Sequence, residues 1–142
     1  MPITSYDHTA IPTAQPEEMI AFYKKLGFTV VHEEEWRRGT ARAFAFAFGD
    51  NKINVHPPAV WQNPEFTLRG PTAIPGCGDL CFVWQGSVGE ARSLLDAAGA
   101  EVIEGPVPRE GGRHLSSVTG TSLYTRDPDG NLLELISYGD GA

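Results

Sequence analysis

Two kinds of hydrophobic period recur along this chain, and they recur twice in the same order. Ile3 to Ile11, closed by Pro12, reads as a short strand. Gln15 to Leu26 places Met19, Ile20, Phe22, Tyr23 and Leu26 at helical spacing. Pro16 lies near its first turn, Glu17 and Glu18 come early, Lys24 and Lys25 late, and Gly27 stands at the stop, the pattern of a capped amphipathic helix. Phe28 to Glu34 reads as a second strand. Ala41 to Phe48 alternates alanine with Phe44, Phe46 and Phe48, a period of two that makes one face bulky and the other small. Gly49-Asp50-Asn51 turns into a fourth strand, Lys52 to His56, so the first half is β-α-β-β-β.

Pro57 to Gly76 holds five of the eleven prolines and shows no period, so it reads as a connector that could also cover a cavity mouth. The order then begins again. Asp79 to Trp84 is a strand, and Val88 to Ala98 is a helix with Ala91, Leu94, Leu95 and Ala98 on its apolar face and Gly99 at its end. Ala100 to Glu104 is a short strand. After a loop of glycine and proline, Val118 to Thr125 and Asn131 to Tyr138 form a hairpin around Asp127-Pro128-Asp129-Gly130-Asn131, where proline fixes φ and glycine accepts a positive one. The expected fold is α+β: two βαβββ modules, residues 1–56 and 77–142, joined by a connector, 57–76, within one domain spanning 1–142. Their repetition implies a pseudo-twofold arrangement in which each curved sheet is covered by its helix on one side and open on the other, a cup-shaped, partly open β-barrel.

Composition narrows the partners. With 11 basic and 18 acidic residues the formal charge is −7, which opposes nucleic-acid phosphates and anionic lipid and favours a small-molecule partner. Cys77 and Cys81 have no second pair, so neither a disulfide framework nor a cysteine-rich zinc site is indicated. No basic segment followed by an apolar one opens the chain and no run approaches the roughly 18 apolar residues of a membrane span, so a cytoplasmic location is expected.

Within the last strand Leu132, Glu134, Ile136 and Tyr138 share a face while Leu133 and Leu135 share the other, so the Glu134 carboxylate is expected to be buried. Such a charge must be protonated, salt-bridged or bound to a cation. The repeat sets residues of metal-ligand type at matching places: the first strand of each half carries His8 or Asp79, the last carries His56 or Glu134. His32, among glutamates, reads as a surface group. Arg42, Arg109 and Arg113 are either solvated charges or, near the mouth of a cavity, binders of an anionic substrate.

Asp7-His8, Phe22-Tyr23-Lys24-Lys25-Leu26-Gly27-Phe28, Asn54-Val55-His56, Asp79-Leu80-Cys81-Phe82 and Arg126 through Glu134, in this order over nearly the whole chain, resemble the vicinal oxygen chelate superfamily, the glyoxalase, bleomycin-resistance and extradiol-dioxygenase group. The resemblance is greatest to its small one-unit glyoxalase-domain proteins. It implies a divalent metal, Fe²⁺ or Mn²⁺ with Ni²⁺ or Zn²⁺ as alternatives, held by His8, His56 and Glu134, with Asp79 at a fourth ligand position. Asp79 could equally accept backbone amides or stand beside the metal as an acceptor.

Gly112-Arg113-His114, Leu123-Tyr124, Asp127-Pro128, Gly130 and Glu134 are similar to the extradiol ring-cleavage signature, in which a tyrosine ten residues before the glutamate, here Tyr124, lies near the bound catecholate. Tyr124 is thereby implied as a catalytic acid or substrate hydrogen-bond donor, with His114 a second candidate; a strand tyrosine is also commonly core. The pattern departs from extradiol enzymes where Asp79 stands in place of a histidine. Three functions are expected in order: an extradiol-type dioxygenase acting on a small catechol-like substrate, a glyoxalase-like lyase or isomerase, and a metal-free antibiotic- or metabolite-binding protein. Members of the family often dimerise, so a homodimer is expected.

Overall fold

Phe44, Phe46 and Phe48 sort to one side of a strand, and that side is where the first half builds its core. Phe46 stacks on Tyr23 at 4.3 Å between ring centroids, Phe48 meets Phe28 at 5.4 Å, and Phe44 meets Trp36 at 4.9 Å. Met19, Ile20 and Tyr23, one face of the first helix, are buried with Ile11, Ile53 and Val55. Burying side chains of this size is worth about 1.5–3 kcal/mol each, so this layer is what holds helix to sheet.

The structure is a computed structural model and describes residues 2–139. It divides into two compact units, Met1–Cys77 and Gly78–Ala142, so the connector belongs with the first half. The first unit comprises His8–Pro12 (β1), Pro16–Lys25 (α1), Thr29–Val31 (β2), Glu33–Arg37 (α2), Phe44–Phe48 (β3), Asn51–His56 (β4) and Pro58–Trp61 (α3). The second comprises Asp79–Val83 (β5), Val88–Ala97 (α4), Glu104–Glu110 (β6), Thr119–Arg126 (β7) and Leu132–Ser137 (β8). Their sheets have matching orders, β1-β4-β3-β2 and β5-β8-β7-β6, with the first and last strands of each unit paired in parallel. The expected α+β fold of two repeated modules is therefore what forms, with two four-stranded sheets and no closed barrel. Among the described residues no helix is long and apolar enough to cross a membrane.

Both long helices end as their sequences foretell. Pro16 occupies the first turn of α1, and Gly27, at φ +96°, lets the chain leave it. Ser87 caps α4 by accepting from the Glu90 amide at 3.1 Å.

Besides the first strand, which begins at His8 and not at Ile3, two expectations fail locally. The strand expected over Phe28–Glu34 stops at Val31, where His32 takes a left-handed conformation (φ 65°) and Glu33–Arg37 coils into α2. Charge pairing explains the change: Arg37 binds Glu33 one turn away at 2.9 Å and Glu17 of α1 at 2.7 Å, and Lys24 binds Glu33 at 2.7 Å. In the second unit the strand expected over Ala100–Glu104 lies further on, at Glu104–Glu110, within what reads as a glycine and proline loop. Pro106 and Pro108 are tolerated because β6 is the sheet's edge, where a missing amide donor costs nothing.

A buried polar clamp fixes the closing hairpin to the unit's first strand. Asn131 accepts from the Gly78 amide at 2.7 Å and donates to Asp127 at 2.8 Å, while the other Asp127 oxygen accepts from the Asp129 and Asn131 amides, each at 3.0 Å. Asn131 is fully buried. Asn131→Ala removes a bond to the Asp127 carboxylate and the acceptor of the Gly78 amide, and is expected to cost roughly 2–4 kcal/mol in urea unfolding followed by circular dichroism. Asn51→Ala, at the exposed first position of β4, should stay within about 0.5 kcal/mol of wild type in the same measurement.

Candidate functional site

Side chains opposite one another in a pair share a face, so the strand registers decide which polar residues meet. In the second unit Cys81 lies opposite Glu134, Glu134 opposite Tyr124, and Ser122 opposite Ile136. Cys81, Glu134, Ser122 and Tyr124 thus stand on the face turned away from Leu123, Leu133 and Leu135, which are buried with Ala91 and Leu95 of α4. Glu134 accepts from the Ser122 hydroxyl at 2.5 Å, with Cys81 and Tyr124 as its neighbours across the two strand pairs. Among the described residues no salt bridge holds this half-buried carboxylate, and a neutral hydroxyl donates to it instead.

The neighbours respond. Burial, followed by the charge of Glu134, pushes the Cys81 thiol up to about 12. Burial also raises the Tyr124 phenol above its ordinary value; the hydrogen bond from Arg109 opposes that rise and Glu134 adds to it. Arg109 Nε donates to the Tyr124 oxygen at 3.0 Å. Ser122 and Cys81 are not legible in the sequence as members of this group, since both read as small strand residues; Arg109 reads as a solvated charge or an anion binder, in a segment that reads as loop, with nothing to tie it to Tyr124.

Asp79 lies on the same face two residues before Cys81, opposite Leu132. Its carboxylate makes no hydrogen bond or ion pair among the described residues. His114 is not brought to the group. It sits in the exposed loop after β6 at φ 50°, followed by Leu115 and Ser116 at φ 56° and 68°, and its ring makes no hydrogen bond or ion pair among the described residues.

In the first unit His8 Nδ1 bonds to Asp7 at 2.5 Å, and that bond holds the Asp7 carboxyl below its usual range. An imidazole gripped by a carboxylate on one nitrogen presents the other as a lone-pair donor. His56 sits differently from the equivalence the sequence suggests. His8 is opposite Lys52 and Pro12 is opposite His56, so the two histidines are four residues apart in register, ~13 Å along the strands. Side chains stand roughly perpendicular to a sheet, so within this unit these rings cannot meet at one ion. Ala10 opposite Asn54 matches Cys81 opposite Glu134, which makes Asn54 the counterpart of Glu134 and His56 the counterpart of Ile136. The His56 ring instead packs edge-on against Phe66 at 5.2 Å, and burial, with Arg69 nearby, lowers its pKa. His32, Ala43, Ala45, Lys52, Asn54 and His56 are among the residues lining a shallow recess of about 190 Å³.

Two βαβββ units, each with parallel outer pairing and a polar open face, define a duplicated α+β class. The chain belongs to the Glyoxalase/Bleomycin resistance protein/Dioxygenase superfamily, whose family model matches residues 5–135. It is 38% identical over 138 residues to the glyoxalase domain-containing protein RDO1 of Mycosarcoma maydis, covering 97% of this chain and 70% of that one. It is 36% identical over 141 residues to virulence protein STM3117 of Salmonella typhimurium, covering 97% and 87%. The solved structure of an integron cassette protein, VCH_CASS1, from the mobile metagenome of V. cholerae superposes with a TM-score of 0.80 at 32% identity, covering 97% of this chain and 98% of that one.

Divalent metals are common in this superfamily. Taken one unit at a time, the donor chemistry suits such an ion: the first unit offers the oriented His8 imidazole, and the second offers the Asp79 carboxylate, with no hydrogen bond or ion pair among the described residues, and the Glu134 carboxylate steadied by Ser122. His56 does not fit with His8. Among the described residues no three His, Cys, Asp or Glu side chains stand together as a ligand group. In metal-free protein, the raised thiol pKa should make Cys81 react with iodoacetamide at pH 9 slower than a free thiol by on the order of 10²–10³, read by peptide mass spectrometry. Glu134→Gln, which removes the adjacent charge, should speed that reaction.

Proposed function

We propose that this chain is a metal-dependent vicinal oxygen chelate enzyme of the extradiol dioxygenase type, acting on a small catechol-like substrate. The observation that supports it is the cross-strand pairing of Tyr124 with Glu134 on the open face, a proton donor beside a ligand-type carboxylate. In this reading His8, Asp79 and Glu134 take three of the four ligand positions that the family resemblance implies, and His56, the fourth, is left out because the register sets it four residues from His8. A set rich in oxygen favours Fe²⁺ or Mn²⁺ over Ni²⁺ or Zn²⁺. When bound, the ion would supply Lewis-acid polarisation of adjacent substrate oxygens.

The chain's own residues do the rest. Tyr124, its pKa raised, keeps its proton at neutral pH and can donate it to a substrate oxygen. Arg109 holds that hydroxyl in place, and Ser122 fixes the orientation of the Glu134 carboxylate. A small-molecule substrate, a homodimer and a cytoplasmic location belong to the same proposal. A lyase or isomerase of the glyoxalase kind is the second reading, favoured by Asp79, whose carboxylate engages no hydrogen-bond or ion-pair partner among the described residues and could carry a proton.

Metal repletion tests the proposal. Wild type loaded with Fe²⁺ or Mn²⁺ should retain about one ion per chain after desalting and melt several degrees higher than the metal-free protein. His8→Ala and Glu134→Ala should each lose the ion and that rise, whereas His56→Ala should keep both. Iron-loaded protein should consume O₂ with catechol and give a yellow ring-opened product, and Tyr124→Phe should lower that rate by about 10²-fold or more. Failure of wild type to take up any divalent ion would sink the enzyme reading in favour of a metal-free binder. Metal uptake with no O₂ consumption but turnover of a hemithioacetal would move the assignment to the lyase.

A further inference from the structure

A guanidinium has five N–H donors and no acceptor, and it can pair with a carboxylate. Arg37 does so twice, between Glu17 and Glu33. Arg109 does not. With 18 acidic residues in the chain and Glu104 and Glu110 on its own strand, it forms no ion pair with a carboxylate among the described residues. Its Nε donates to the Tyr124 hydroxyl at 3.0 Å and its Nη1 to the Pro108 carbonyl at 2.9 Å. The guanidinium carbon lies 5.6 Å from the centre of the Tyr124 ring. Two bonds thus fix the fork, while the remaining donors stay exposed.

The register puts this fork on the polar open face. Val107 lies opposite Ser122 and Arg109 opposite Gly120, so Arg109 shares the side of Ser122, Tyr124 and Glu134. Across that face run a carboxylate on β8, a phenol on β7 and a cation from edge strand β6. A planar fork held by neutral groups and left without a counter-ion matches a bidentate anion, above all a carboxylate.

We propose that Arg109 is a specificity-determining residue that binds a carboxylate on the substrate, so that the natural substrate class is a small aromatic or unsaturated acid bearing adjacent oxygens. The adjacent oxygens rest on the function proposed above; the carboxylate rests on Arg109 alone. Tyr124 contacts both ends, so Arg109 also sets the distance at which the acid group stands from the reacting oxygens.

Anaerobic calorimetric titration of the full-length, Mn²⁺-loaded protein with three probes separates the two claims: 3,4-dihydroxybenzoate, catechol and benzoate. Wild type should bind 3,4-dihydroxybenzoate at least about tenfold more tightly than catechol. Arg109→Met should bring that ratio to within about twofold of one, and Arg109→Lys should keep part of it. Circular dichroism melts of both variants, substituted at an exposed edge position, confirm that the fold is intact. Equal wild-type affinities, or a preference that survives in Arg109→Met, would overturn this proposal and leave the diol reading standing. Benzoate binding that depends on Arg109, without catechol binding, would support the carboxylate site and overturn the diol reading. If none of the three probes binds, the carboxylate site falls as well.

Discussion

Parallel pairing of the first strand with the last governs each half of this protein. Two parallel strands cannot be joined by a tight turn, so the helix and two further strands between them serve as the crossover, and the last strand ends up inside the sheet. Register then determines chemistry. A slip of one residue in β8 would bring Leu133 and Leu135 to the face that now carries Glu134 and would bury the carboxylate against α4. The Asn131 and Asp127 clamp, tying the hairpin to Gly78, is what makes such a slip costly.

The parts legible in the sequence are those whose signal is local and redundant. Alternation through Phe44–Phe48, capping of both long helices and the proline-glycine turn of the last hairpin each name their element without help from elsewhere. What escaped depends on partners far along the chain. Glu33 and Glu34 look like the end of a charged strand until Arg37 is seen to reach Glu17, twenty residues away. Pro106 and Pro108 rule out an interior strand but not an edge strand, and edge position is a property of the sheet. His56 looked equivalent to Glu134 because both follow a turn aspartate, yet turn lengths differ by one residue, and only the pairing reveals that Asn54 holds the matching place. Glu134 and Tyr124, ten apart along one hairpin, could be foreseen as neighbours; Ser122 and Cys81 could not, since neither residue type announces a polar cluster.

The two halves share a frame but not its contents. On the first sheet Ala45 and Ala47 face Asn54 and Lys52, leaving a shallow, roomy surface with histidines at its margin. The corresponding surface of the second sheet carries Glu134 bonded to Ser122, with Tyr124 opposite that carboxylate and bonded to Arg109. One copy of the module presents space and the other presents functional groups. Duplication permits this, because the buried face alone is enough to fold each unit and the open face is left free to diverge.

The loop tip at His114, Leu115 and Ser116 has a practical consequence. Three successive side-chain-bearing residues in the left-handed region hold the chain in a conformation it would readily abandon, and Leu115 is 97% exposed. A limited protease should nick the polypeptide here before it touches either sheet, and a fluorophore or affinity tag inserted at this tip would leave every strand pairing undisturbed. It is the natural handle by which the molecule can be labelled, tethered or cut.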